Sequence, residues 1–322
     1  MLLPIMRGVL EWVQNKELRS NKLTTSTGMV SNCFTFFYPL LRKNHPKFKA
    51  VNLQFNQRLE TACREKNNSL CIGLDIDPDK FPVGQDTSLQ GMETFGKEVI
   101  DGTIDFCPVY KPNFAFFERF GSMGYALLER LVDHISGKAI VIADAKRGDI
   151  GNTSRRYAQA ILDTMGCDAI TISPYMGRDA IEPFIENPAK GVFILAVTSN
   201  PGARELQEHG EEEYPLYKKV IQIAHELNTA DNIGLVVGAT QTEVMEDIRK
   251  QSEGLPWLIP GVGIQGGDLE TALEISHQNG MGIINVSRGI LYAGNGSIEN
   301  VIKSAKNYTE KIRSIVWNPV NC

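Results

Sequence analysis

From residue 69 to the end of the chain, short runs rich in β-branched and apolar residues alternate with stretches of helical periodicity, eight of each. No other feature restricts the fold so tightly. The apolar runs lie at 69–75, 104–111, 139–144, 168–173, 191–197, 233–239, 256–260 and 282–286, and all but the seventh are apolar enough for strands buried on both faces of a parallel sheet. Helical patterns fall at 91–101, 121–135, 154–165, 178–186, 215–228, 242–252, 268–279 and 297–316. Parallel neighbours need a long crossover, which a helix supplies, and eight such units close into a (β/α)8 TIM barrel. The expected fold class is therefore α/β, one barrel domain over residues 51–322 behind an N-terminal extension of residues 1–50.

Composition narrows the classes of partner. With 42% hydrophobic and 22% charged residues in 322, the chain can bury a large globular core. A net charge of −5, from 33 basic and 38 acidic residues, gives no global attraction to nucleic acid or to an anionic membrane, so any phosphate must be held locally. The apolar start, MLLPIMRGVLEWV, is interrupted by Pro4, Arg7, Gly8 and Glu11. It falls short of the roughly 20 residues that span a bilayer. Six cysteines, at 33, 63, 71, 107, 167 and 322, form no CxxC pair and follow no secretory leader. They read as reduced thiols, and the expected compartment is the cytoplasm. Residues 1–50 carry eight Lys or Arg against two Glu, the bias of a transit segment, although an appended tail or a start codon set too far upstream has the same composition.

Barrel enzymes place their chemistry at the carboxyl ends of the strands. Here those ends are polar: Asp75; Lys111 with Asn113; Asp144 with Lys146 and Asp149; Thr198 with Ser199; the glycine-rich 260–267; and Ser287 with Arg288. Asp144 and Lys146 are two residues apart, so an extended chain points both side chains the same way. With Lys111 arriving from the adjacent strand, ammonium and carboxylate groups alternate around one spot, which keeps each lysine charged. A solvated ion-pair cluster has the same composition, but this one follows directly on an apolar strand. The loop PGVGIQGGD and the SRG that closes the eighth strand occupy the two positions where barrels commonly hold phosphate, and Arg288 adds a forked, permanently charged donor. Tight-turn chemistry also explains such glycines when they stand alone. Histidines 134, 225 and 277 fall in helical patterns, and 45 and 209 in polar loops, so none joins the strand-end cluster. No GxGxxG follows the first strand. Neither a metal nor an organic cofactor is expected.

The segment DAKRGDIGNT, residues 144–153, resembles the DxKxxD motif of the orotidine 5′-phosphate decarboxylase family. CIGLD (71–75), YKPNFAFFE (110–118), SPYMG (173–177), TSNP (198–201), PGVGIQ (260–265) and NVSRGI (285–290) extend the likeness in family order, over roughly residues 53–317. DxKxxD alone is shared with metal-dependent sugar-phosphate barrels, so the flanking motifs supply the specificity. The pattern is similar to the longer form found in bacteria and protists. The resemblance implies cofactor-free decarboxylation of orotidine 5′-phosphate to uridine 5′-phosphate, in a homodimer with shared active sites. It implies a charged network of Lys111, Asp144, Lys146 and Asp149, with Lys146 donating a proton and Asp149 reaching in from the partner subunit. Asp75 and Asn113 then match ribose and active-site contacts, and Thr153 a contact across the dimer. Thr198 and Ser199 lie near the pyrimidine, and Pro260, Gln265 and Arg288 at the pyrimidine and phosphate end. Ser287 stands where the family often has glycine, and residues 1–50 match nothing in it. A catalytically silent nucleotide-binding barrel is the reading from another class, and the intact charged constellation argues against it.

Because every βα unit lies downstream of residue 50, deleting residues 1–50 is expected to leave turnover and Tm nearly unchanged. A large loss of soluble protein on that deletion shows instead that the extension packs on the barrel.

Overall fold

A computed structural model describes residues 53–211, 214–240, 242–263 and 267–317. Gln265 and the extension of residues 1–50 lie outside the described residues. Eight parallel strands close into a barrel: β1 (Leu70–Leu74), β2 (Val109–Pro112), β3 (Ile140–Arg147), β4 (Ala169–Ile172), β5 (Gly191–Val197), β6 (Ile233–Val237), β7 (Trp257–Ile259) and β8 (Gly282–Val286). Each strand pairs with its successor, and β8 pairs back on β1 through Leu70 and Ile284, Cys71 and Asn285, and Ile72 and Val286.

Period-two alternation sorts the side chains of each strand. Leu70, Ile72, Leu74, Tyr110, Val141, Ile170 and Ile194 join the large core between the strands and the surrounding helices. Cys71, Val109, Ile140, Ile142, Ala169, Phe193, Val236, Leu258 and Ile283 form a second core inside the barrel. Continuing that inward phase along each strand brings up Lys111 after Val109, Asp144 after Ile142, Thr171 after Ala169 and Asn285 after Ile283. The apolar layers thus carry a polar layer above them.

The lower end of the barrel is closed by a helix that the strand-and-helix pattern does not include, Phe55–Lys66. Its Phe55, Leu59 and Cys63, spaced four apart on one face, are fully buried in the inner core. Phe55 meets Phe193 edge to face, with ring centroids 6.1 Å apart. Gly191 makes room for that ring, since a Cβ there would lie 2.2 Å from it. Polar ties fix the docking: Asn56 Nδ2 donates to Ile233 O at 3.2 Å, and Arg58 pairs with Asp168 at 2.6 Å while donating to Ala189 O at 2.7 Å.

Two strand boundaries differ from expectation. β2 starts at Val109 instead of residue 104, because the helix Leu89–Thr103 continues into a turn in which Ile104 N–H donates to Ile100 O and Cys107 N–H to Thr103 O. β3 runs on to Arg147, three residues past its expected end at 144, through a register shift between Ala143 and Arg147. The loop after β5 is also more structured than expected, with a short helix Ala203–Leu206 and a ribbon pairing Gly210–Glu211 with Tyr214–Pro215. Among the described residues no helix is long and apolar enough to cross a membrane.

Phe55→Ala empties the centre of the lower plug and should cost about 3–5 kcal/mol of stability, read by urea denaturation. A loss under about 1 kcal/mol would mean that the helix is not part of the cooperatively folded unit.

Candidate active site

The polar layer opens into a cavity of about 370 Å3 at the carboxyl ends of the strands. At its centre the Asp144 carboxylate, 11% exposed, takes an ammonium on each oxygen: Lys111 Nζ stands 2.6 Å from Oδ2 and Lys146 Nζ 2.5 Å from Oδ1. Lys111 is 4% exposed and has a second carboxylate, Asp75, at 4.0 Å. Burial alone would discharge Lys111, but Asp144 and Asp75 outweigh it and hold the ammonium above the ordinary lysine range. Burial likewise opposes the Asp144 charge, and Lys111 and Lys146 overcome it, holding the carboxyl well below the usual carboxylate range.

Lys146 reaches Asp144 by a route other than strand alternation. It has φ +44°, in the left-handed region that a lysine rarely adopts. Its N–H donates to Thr171 Oγ1 at 3.0 Å, and the carbonyl of Arg147 accepts from Ser173 N–H at 2.8 Å, so β4 and the turn beyond it hold the kink in place. The expected juxtaposition is present, but the extended backbone behind that expectation is not.

Other expected site residues divide into those that line the cavity and those that do not. Asp75, Thr198, Ser199, Pro260 and Arg288 line it. Asp75 Oδ1 is buried without a hydrogen-bond partner and lies on the Lys111 side, 4.0 Å from Nζ. The Thr198 hydroxyl donates to Asn200 Oδ1 at 2.6 Å, and its N–H to Gln207 Oε1 at 2.8 Å. Arg288 is exposed at the rim. Ser287 keeps its hydroxyl over Gly73 of β1, where a Cβ would lie 1.9 Å from Ser287 Oγ, so glycine in β1 makes room for the serine that precedes Arg288. Asn113 bridges to Asp144 through the backbone, yet it is not among the lining residues, and neither are Asp149 and Thr153. Asp149 Oδ1 accepts from Ile150 N–H at 2.8 Å, and Thr153 is exposed.

Thr171 and Asn285 also line the cavity, although reading only the strand ends passes over them. Their signal was a single polar residue in phase with the inward side chains of otherwise apolar strands, Ala169–Ile172 and Gly282–Val286. Among the described residues, no group of three or more His, Cys, Asp or Glu side chains is arranged to hold a metal ion.

A parallel barrel with paired lysines and aspartates at its carboxyl-terminal mouth defines the class, a TIM-barrel enzyme. Within that class, the family model "Orotidine 5′-phosphate decarboxylase / HUMPS family" matches residues 68–301, and the chain belongs to this family. It is 44% identical over 270 residues to the orotidine 5′-phosphate decarboxylase of Dehalococcoides mccartyi strain CBDB1, covering 82% of this chain and 97% of that protein. Identity to the orotidine 5′-phosphate decarboxylase of Roseiflexus castenholzii is 41% over 268 residues, again 82% and 97% of the two chains. The structure of Leishmania donovani OMP decarboxylase superposes with a TM-score of 0.72 at 34% identity, covering 83% of this chain and all of that one.

Asp144→Asn should remove about 3–5 kcal/mol of stability at neutral pH, because it leaves two ammonium groups facing each other with only Asp75 nearby. The signs follow from the two shifts. The Asp144 contribution is present above about pH 3.9 and lost as pH falls through that value toward the lower folded one. The Lys111 contribution is complete below about pH 10.4 and lost as pH rises past it. Urea denaturation between pH 3 and 7 should therefore show a shallower acid decline in the asparagine variant, and an unchanged acid limb would show that Asp144 does not carry it.

Proposed function

We propose that this chain is a carboxy-lyase that converts orotidine 5′-phosphate to uridine 5′-phosphate and carbon dioxide in pyrimidine biosynthesis. The observation that carries the reading is the buried Asp144 held between Lys111 and Lys146 at the mouth of a barrel of this family. When the ring-to-carboxylate bond breaks, its electron pair stays on a ring carbon that delocalises it poorly. A fixed ammonium stabilises that charge before and during the break, which is electrostatic preorganisation. Lys146 then gives its proton to the ring carbon, carbon dioxide departs, and the amine regains a proton from solvent. Asp144 aims both lysines and lies near the departing carboxylate. No step requires a cofactor.

The remaining roles follow the cavity. Asp75, which lines the cavity, accepts from a ribose hydroxyl, and Asn113 contributes beside it. Thr198 and Ser199 approach the pyrimidine, while Pro260, Gln265 and Arg288 serve the pyrimidine and phosphate end. Binding energy from the remote phosphate supports chemistry at the ring.

Asp149 and Thr153 serve the site across a homodimer in this reading. The surface around them supports it: Ile150 is 55% exposed, Tyr175 77% and Met176 47%, on neighbouring segments whose helices, Gly151–Ala158 and Arg178–Ile185, pack together. Contiguous exposed apolar side chains mark an interaction surface. The catalytic unit is then the barrel of residues 51–322, working in the cytoplasm, with residues 1–50 taking no part.

Purified, chelator-treated protein should deplete orotidine 5′-phosphate absorbance. No turnover with or without added divalent metal would sink the decarboxylase reading, and turnover only with metal would sink its cofactor-free form. Lys146→Ala should fall below about one percent of wild-type turnover, a loss of several kcal/mol, and still bind uridine 5′-phosphate. Remixing Lys146→Ala with Asp149→Ala subunits should restore about a quarter of wild-type sites, because half the dimers become mixed and each regains one complete site. No recovery in verified mixed dimers would place Asp149 in its own chain's site.

A further inference from the structure

Lys146 carries an ammonium whose position matters, yet its side chain is 53% exposed and gains little from packing. What fixes it is the backbone at its root and the carboxylate at its tip, and one hydroxyl touches both. Thr171, 2% exposed on β4, has its Oγ1 at 3.0 Å from Lys146 N and at 3.2 Å from Asp144 Oδ1. The direction of each bond is forced. A backbone N–H can only donate and an ionised carboxylate can only accept, so the hydroxyl accepts from Lys146 and donates its single proton to Asp144. Since Lys146 Nζ also donates to Asp144 Oδ1, the bonds close a ring that runs from the Lys146 backbone through Thr171 and Asp144 back along the lysine side chain.

We infer that Thr171 is a positioning residue for decarboxylation, holding Lys146 in its left-handed backbone conformation and Asp144 in register with it. The inference rests on the decarboxylase reading and adds a residue to it. The hydroxyl has two tasks. Before proton transfer it satisfies the backbone N–H of Lys146 itself, so that the left-handed turn need not relax toward extended chain. After Lys146 has given up its proton, Asp144 loses a charged donor on Oδ1 and Thr171 remains as its donor there, which keeps the carboxylate in place until the amine is recharged. Valine fits the same space but does neither.

The experiment compares wild type, Thr171→Val and Thr171→Ser in single-turnover decarboxylation, in calorimetric binding of uridine 5′-phosphate and in Tm. The valine variant should lose roughly 10- to 100-fold in single-turnover rate, the range of one hydrogen bond to a charged group, with product affinity within about twofold of wild type. Serine restores the hydroxyl and should recover the rate to within about threefold. A purely structural role would lower Tm and affinity together and leave the rate of folded protein unchanged. Wild-type rate in Thr171→Val overturns the inference, and so does equal loss in the serine and valine variants. If the valine variant does not fold, Thr171→Cys, with a thiol that bonds weakly both ways, must show an intermediate loss, and full activity there overturns the inference as well. An inactive wild-type protein is a different failure, that of the decarboxylase reading itself.

Discussion

The structure of the site depends on a single carboxylate taken out of water between two cations. An isolated buried charge is costly enough that the group would normally neutralise, so Asp144 and Lys111 can be charged where they stand only because opposite charges face them. The arrangement is self-consistent rather than locally stable. Removing Asp144 leaves Lys111 buried with only Asp75 at 4.0 Å to offset its desolvation. Charges fixed in this way need no solvent rearrangement during a reaction, which is the condition under which they lower a barrier most.

Much of this was legible in the sequence because barrels write their interior in two alphabets. Apolar β-branched runs mark the strands, and the polar residue that ends each run marks the mouth. Lys111, Asp144, Lys146 and Arg288 were readable on that basis, and all four line the cavity. What could not be read is what tertiary contacts decide. Nothing in the letters around Lys146 signals a positive φ, since glycine and asparagine are the usual markers and lysine is neither. The kink is set by Thr171 and Ser173 on the next strand and its turn. Similarly, residues 104–108 look like the start of a strand, but their backbone groups are taken by the end of the preceding helix. Phe55, Leu59 and Cys63 carried a helical spacing that the strand-and-helix alternation, beginning at residue 69, left out of consideration.

Thr171 and Asn285 illustrate a more general asymmetry. Both sit within strands, where a reader expects packing, and not at the strand ends, where a reader expects chemistry. The barrel has no sharp boundary between the two. Its inward phase runs continuously from Ala169 to Thr171 and from Ile283 to Asn285, so the same alternation that builds the core also presents the floor of the cavity. Residues of this kind are found by asking which inward positions are polar, a question independent of any motif.

The helix Phe55–Lys66 plugs the amino-terminal end of the barrel with Phe55, Leu59 and Cys63. Phe55 is seated under Gly191 and against Phe193, so among the described residues the amino-terminal end is filled by packed side chains. This packing isolates Lys111, at the bottom of the polar layer, from any column of water rising from below. Lys111, with its side chain 4% exposed, is thus shielded from bulk solvent, whereas the side chain of Lys146 is 53% exposed.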